Sequence, residues 1–176
     1  MKSLRLAGVI RESIVDGPGI RLVIFTQGCP HHCEGCHNPE THDPAGGYIS
    51  RPENILNAIR QNPLLQGVTF SGGEPFAQAP ALAELGRRIR NLGLGIMTYT
   101  GYTYEYLMQH LNEPGWEELL AVTDILVDGP FILAKRSLDL RFRGSSNQRI
   151  IDIPASRQKH QVVEWSEASH DYLRKL

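Results

Sequence analysis

The chain contains three cysteines, Cys29, Cys33 and Cys36, and all fall in the run Gly28-Cys29-Pro30-His31-His32-Cys33-Glu34-Gly35-Cys36-His37-Asn38. No cysteine elsewhere is left to pair with them, so the set argues against a disulfide framework and for direct use of the thiolates as soft metal ligands. Three thiolates on a C-x3-C-x2-C loop can each bind one iron of a 4Fe-4S cube, where an ordinary electron-transfer cluster takes four. One iron then stays open and can chelate a ligand that offers an amine and a carboxylate together. A zinc site completed by His31, His32 or His37 is the alternative that spacing alone leaves open.

Three further segments carry candidate chemistry. Ser71-Gly72-Gly73-Glu74-Pro75 places two glycines where a strand is expected to stop, so the backbone can approach a ligand, with Glu74 as an added acceptor. Taken alone, it also reads as an ordinary turn. Asp128 follows Ile125-Leu126-Val127 and either accepts hydrogen bonds from ribose hydroxyls or opens the turn Asp128-Gly129-Pro130. Tyr99-Thr100-Gly101-Tyr102 either lies against a cofactor or packs a rim.

These segments must be positioned by the elements before them. Leu22-Val23-Ile24-Phe25 is a continuous apolar run of the kind that forms a parallel strand buried on both faces. Shorter runs at Val68-Thr69-Phe70, Ile96-Met97, Ile125-Leu126-Val127, Ile150-Ile151 and Val162-Val163 predict further strands. Ser50 and Glu53 suggest a capping box ahead of Ile55, Leu56 and Ile59, and Leu82, Leu85, Ile89 and Leu92 recur at helical spacing. A third helix is expected from about Tyr104 to His110. Strands alternating with helices imply right-handed βαβ units. The expected fold is α/β, a partial, open β/α barrel of about six mainly parallel strands, with the four polar segments together at the carboxyl ends.

Length and composition bound the partners. At 176 residues and 41% hydrophobic content the chain is expected to form one domain over residues 1–176. A formal charge of -1 gives no overall pull toward nucleic acid or anionic membrane. With no apolar run long enough to span a bilayer and no signal-peptide pattern after Met1, a cytoplasmic protein is expected.

The cysteine loop and the Gly72-Gly73-Glu74-Pro75 turn resemble those of the radical S-adenosylmethionine superfamily. Within it, Val15-Asp16-Gly17-Pro18-Gly19-Ile20-Arg21 resembles the activating enzymes of glycyl-radical proteins. The stretches Asp124 to Phe131 and Phe142 to Arg149 are similar to activators of anaerobic ribonucleoside-triphosphate reductase. The resemblance implies a barrel of the radical S-adenosylmethionine type and two cofactors, a 4Fe-4S cluster and S-adenosyl-L-methionine. It implies that a one-electron donor such as reduced flavodoxin or ferredoxin reduces the cluster, that the cofactor is cleaved to methionine and a 5'-deoxyadenosyl radical, and that the radical takes hydrogen from a glycine of the reductase. Cys29, Cys33 and Cys36 then match the cluster ligands. Gly72, Gly73 and Glu74 match the turn receiving the methionine amine, the backbone of Gly35, Cys36 and His37 lies near adenine, and Asp128 is the ribose candidate. No side-chain acid or base is implied.

Two departures stand out. Many members carry an aromatic residue where this chain has Gly35, and pyruvate formate-lyase activators usually have lysine where it has Pro130. Lys135, Arg136, Arg141, Arg143 and Arg149 form a basic stretch that the family reading assigns to docking of the reductase. The competing readings are an activase of another glycyl-radical enzyme and a metal-binding module without catalysis.

Overall fold

The computed structural model describes residues 2–167. They build one sheet of seven strands: β1 (Leu4–Ser13), β2 (Arg21–Thr26), β3 (Tyr48–Ser50), β4 (Gly67–Gly72), β5 (Gly95–Tyr99), β6 (Ile125–Asp128) and β7 (Arg149–Asp152). The spatial order is β3-β1-β2-β4-β5-β6-β7. β2, β4, β5 and β6 run parallel, while β1, β3 and β7 join antiparallel. The sheet is therefore open and mixed, where the sequence predicts about six mainly parallel strands. The parallel centre coincides with the continuous apolar runs. Val162-Val163 forms no strand, and its neighbour Glu164 makes an isolated bridge to Ile151.

Helices α1 (Pro52–Arg60), α2 (Ala79–Arg90), α3 (Tyr104–Gln109), α4 (Trp116–Val122) and α5 (Ile153–Lys159) follow the strands. One face of the sheet, with Leu22, Ile24, Val68, Phe70, Ile96 and Leu126, packs against Ile55, Leu56 and Ile59 of α1 and Leu82, Leu85 and Ile89 of α2. These side chains are almost wholly buried, and each contributes about 1.5–3 kcal/mol by leaving water. The expected capping box does not form. Ser50 ends β3, and α1 starts at Pro52, whose missing N–H costs nothing at a first helical position. Leu92 lies beyond α2, half exposed.

The opposite face carries the smaller cluster Met97, Ile125 and Val127 with Phe142 and Trp165, and at its amino end a buried cation, Arg21. Its guanidinium donates to Thr69 Oγ1 at 2.7 Å and to the carbonyls of Val68 at 2.7 Å, Gly95 at 3.2 Å and Pro18 at 3.2 Å. A Cβ at Gly67 would stand 2.3 Å from Arg21 Nη1, and one at Gly17 would stand 2.7 Å from Arg21 Cδ. Burial lowers the Arg21 pKa to about 10, opposed by the charges of Asp124 and Tyr99. The folded value lies below the unfolded one, so the penalty for the cation is constant below about pH 10 and is relieved only above it. Arg21→Ala strands several carbonyls and opens a cavity. It is expected to lower stability by about 2–4 kcal/mol, equally at pH 6 and pH 8, in urea unfolding of the apoprotein.

Candidate functional site: a cysteine-lined cleft at the strand ends

The carboxyl ends of β2, β4, β5 and β6 share one edge of the sheet, as parallel pairing requires, and a cleft of about 440 Å³ opens beside them. Cys29, Cys33, Cys36, His37, Gly72 and Gly73 all line it. Sequence positions far apart thus meet where expected.

The cysteine loop is held by its own backbone. Gly28 leaves β2 with φ +95 and donates to Thr41 O at 2.8 Å, and Cys29 N–H donates to His42 O at 3.2 Å. Gln27 Nε2 reaches across to the carbonyls of Glu40 at 2.9 Å and Asp43 at 2.7 Å. Cys36 N–H closes a turn on Cys33 O at 3.2 Å, and Asn38 N–H donates to Cys36 Sγ at 3.4 Å. Such N–H to sulfur bonds are among the features that tune the potential of a cluster. Burial pushes the Cys29 thiol up, backbone N–H groups of His31 and His32 pull it down, and the charge of Glu74 raises it again.

The three thiols are free and half-buried. They fit an iron-sulfur cube in donor chemistry, number and shared exposure to one cleft. Among the described residues no three His, Cys, Asp or Glu side chains converge on a single point as ligands of one metal ion do.

The Gly72-Gly73 turn owes its composition first to packing. A Cβ at Gly72 would lie 2.6 Å from Phe25 Cα and Thr26 N, and one at Gly73 would lie 2.3 Å from Gly28 O. Gly72 also has φ +91, which favours glycine. Gly73 N–H donates to Thr26 O and Glu74 N–H to Gly28 O, both at 2.8 Å. The turn that faces the cleft is therefore welded to the residue that precedes Cys29.

Two carboxylates singled out in the sequence are met by protein donors. Glu74 is fully buried and outside the cleft lining, its side chain occupied by protein donors: Phe76 N–H on one oxygen, and Thr100 Oγ1, Gly101 N–H and His31 Nε2 on the other. It caps a short 3-10 turn at Pro75–Gln78. Asp128 is likewise buried. It accepts from both Nε and Nη2 of Arg149 and from Tyr104 N–H, which tie it into the frame of the sheet. Gly35 sits at φ +69 outside the lining, and its side-chain position is taken by Leu133, whose Cδ1 would be 2.8 Å from a Cβ.

The basic stretch is also mostly committed. Arg149 pairs with Asp128 and Glu105, which raise its pKa further, and Arg141 pairs with Glu167. Arg143 donates to Gln148 O at 2.6 Å while lining the cleft. Lys135 and Arg136 are exposed. The segment does border the site, through Phe131, Leu140, Phe142, Arg143 and Gln148. The sequence gives Phe131, Leu140, Phe142 and Gln148 no role of their own, although Phe131, Phe142 and Gln148 fall in stretches singled out there, and it gives Arg143 only a docking role. Asp16 and Val15 also line the cleft. Tyr99 joins the walls by donating to Phe142 O at 2.6 Å, and burial with the nearby Asp16 charge holds its hydroxyl protonated well above the usual range.

Residues 15–151 match the family model described as a 4Fe-4S single cluster domain. An anaerobic ribonucleoside-triphosphate reductase-activating protein from Vibrio cholerae is 34% identical over 145 residues, covering 78% of this chain and 90% of that one. Its counterpart from Escherichia coli K12 is 33% identical over 143 residues, covering 77% and 90%. A pyruvate formate-lyase-activating enzyme from Clostridium pasteurianum is 36% identical over 129 residues, covering 70% of this chain and 50% of its own.

Because a Cβ at Gly73 collides with the Gly28 carbonyl, one substitution there should disturb both sides of the cleft. Gly73→Ala is expected to reduce iron uptake on anaerobic reconstitution as well as ligand affinity, against the simpler expectation of a ligand defect with an intact cluster spectrum. Iron content and the visible absorption of the reconstituted variant decide between them.

Proposed function

The chain belongs to the 4Fe-4S single cluster domain family and groups with the activating proteins of anaerobic ribonucleoside-triphosphate reductase, and from that premise we propose that it installs a glycyl radical on such a reductase. It is an enzyme that uses a 4Fe-4S cluster and S-adenosyl-L-methionine. When bound, the two supply a one-electron reductive cleavage to methionine and the abstraction of one hydrogen atom from a glycine Cα, yielding 5'-deoxyadenosine.

The single observation that carries this reading is the convergence of three thiols and the Gly72-Gly73 turn on one cleft. Cys29, Cys33 and Cys36 would hold three irons and leave the fourth to the amine and carboxylate of the cofactor. The backbone of Gly72 and Gly73 would lie along its methionine end. With Gly35 bare and its side taken by Leu133, the ring pair of His37 and Phe131, 4.8 Å apart, is the surface available to an adenine. Phe131, Leu140, Phe142 and Val15 give the walls an apolar character that excludes water from a reactive species.

The open mixed sheet serves as part of a β/α barrel of the radical S-adenosylmethionine type, and the chain acts as one domain. Its electron comes from a one-electron protein donor such as reduced flavodoxin or ferredoxin. No described helix is long and apolar enough to cross a membrane.

Anaerobically reconstituted protein is expected to bind about four irons. Replacing Cys29, Cys33 or Cys36 by Ala should abolish release of 5'-deoxyadenosine under dithionite while leaving the fold intact by circular dichroism. Metal analysis that finds one zinc and no iron under those conditions would overturn the reading.

A further inference from the structure

We infer that His31, acting through the buried carboxylate of Glu74, is a positioning residue that fixes the middle of the cysteine loop against the ends of β4 and β5. The inference rests on the proposed function for its consequence, but its geometry stands independently.

A carboxylate withdrawn completely from water must be met by donors. Glu74 receives four: Phe76 N–H at 3.0 Å, Thr100 Oγ1 at 3.0 Å, Gly101 N–H at 2.9 Å and His31 Nε2 at 2.7 Å. Three belong to the strand ends and the turn after β4. The fourth and shortest comes from the loop, two residues after Cys29 and two before Cys33. Because a carboxylate only accepts, the proton lies on His31 Nε2.

The ring is boxed as well as bonded. Its edge meets Tyr102 at a centroid distance of 4.5 Å and an angle of 73°. Tyr102 stacks on Tyr106 at 5.0 Å and 5°, and Tyr106 on His110 at 3.9 Å, so α3 backs the contact. Beneath the ring lies Gly101, where a Cβ would stand 2.4 Å from His31 Cδ2. Its φ is not positive, so space and not conformation requires glycine here.

The backbone bonds already described hold the loop at Gly28 and Cys29 and again at Cys36. His31 supplies the side-chain tie between them. One carboxylate thereby couples the thiols to the Gly72-Gly73 turn, setting the distance between cluster and cofactor and the polarity around the sulfurs, both of which tune an iron-sulfur potential. The rival assignment has Glu74 touching the ammonium of the cofactor directly.

The test is a double-mutant cycle of His31→Ala and Glu74→Gln, with His31→Gln as the conservative variant that keeps a terminal N–H donor. In the apoprotein, alkylation of Cys33 by iodoacetamide, followed by mass spectrometry, reads loop order without any cluster. Each single substitution is expected to speed it on the order of five-fold, the double to add little, and His31→Gln to restore most of the protection. In the reconstituted protein the same variants should shift the midpoint potential and the electron paramagnetic resonance g values together, and weaken S-adenosylmethionine binding in parallel. Unchanged alkylation in His31→Ala, or additive effects in the cycle, overturns the inference. So does a loss of cofactor affinity in Glu74→Gln with an undisturbed loop, as direct contact demands. His31 is partly exposed, so its variant keeps the test valid should Glu74→Gln fail to fold. A wild-type protein that takes up no iron would refute the proposed function and leave the alkylation result to judge the clamp.

Discussion

The site depends on one constraint, the backbone-to-backbone contact between the ends of β2 and β4. Gly73 N–H meets Thr26 O, Glu74 N–H meets Gly28 O, and neither Gly72 nor Gly73 has room for a Cβ. Parallel pairing of the two strands brings their ends to the same level, from Arg21 opposite Gly67 to Thr26 opposite Gly72. Only because no side chain intervenes can the chain leaving β2 turn across the end of β4 and deliver Cys29 beside the turn. Every later feature of the cleft, from the loop closure at Thr41 to the clamp on His31, is built outward from that contact.

The parts that were legible in the sequence are those whose information is local. A set of three clustered cysteines with no distant partner reads as a ligand set whatever surrounds it, and Leu22 to Phe25 reads as a doubly buried strand because all four residues are apolar. β1 went unread for the complementary reason. Its LRLAGVIRES has Ala7 and Gly8, weak strand formers, at its centre and charges at Arg5, Arg11 and Glu12, so it lacks the compact β-branched run that marks the central strands. β3 has three residues, two of them exposed, and exists through its pairing with Leu4 to Leu6. Antiparallel β7 was found as a strand, yet its direction is set by the chain's return past Phe142 and not by Arg149 to Asp152 themselves.

Polar side chains at strand ends show the limit most clearly. Glu74 and Asp128 each follow an apolar strand and look from the sequence like acceptors aimed at a ligand. Which way each turns depends on partners far along the chain: His31, Thr100 and Gly101 for the first, Arg149 and Tyr104 for the second. A buried carboxylate is stable only when its donors are already in place, so the fold recruits it wherever such donors converge. Arg149 of the basic stretch behaves alike, drawn inward by Asp128, whereas Arg141 and Glu167 pair on the surface.

This inward turn of the carboxylates fits the chemistry assigned to the cleft. Proton transfer catalysis would require an acid or base facing substrate at a tuned pKa. A reaction driven by one electron and a hydrogen atom requires instead fixed distances and walls that do not themselves react. Here the charged groups beneath the rim, Arg21 at one end of the strands and Glu74 and Asp128 at the other, are spent on hydrogen bonds that make the frame rigid. The cleft is lined by thiols, glycine backbone and aromatic or aliphatic surfaces together with the polar groups of His31, His37, Asn38, Ser71, Thr100 and Gln148, and among the described residues its only carboxylate and guanidinium are those of Asp16 and Arg143. Rigidity at the strand ends and restraint at the cleft surface are thus two results of one allocation of polar side chains.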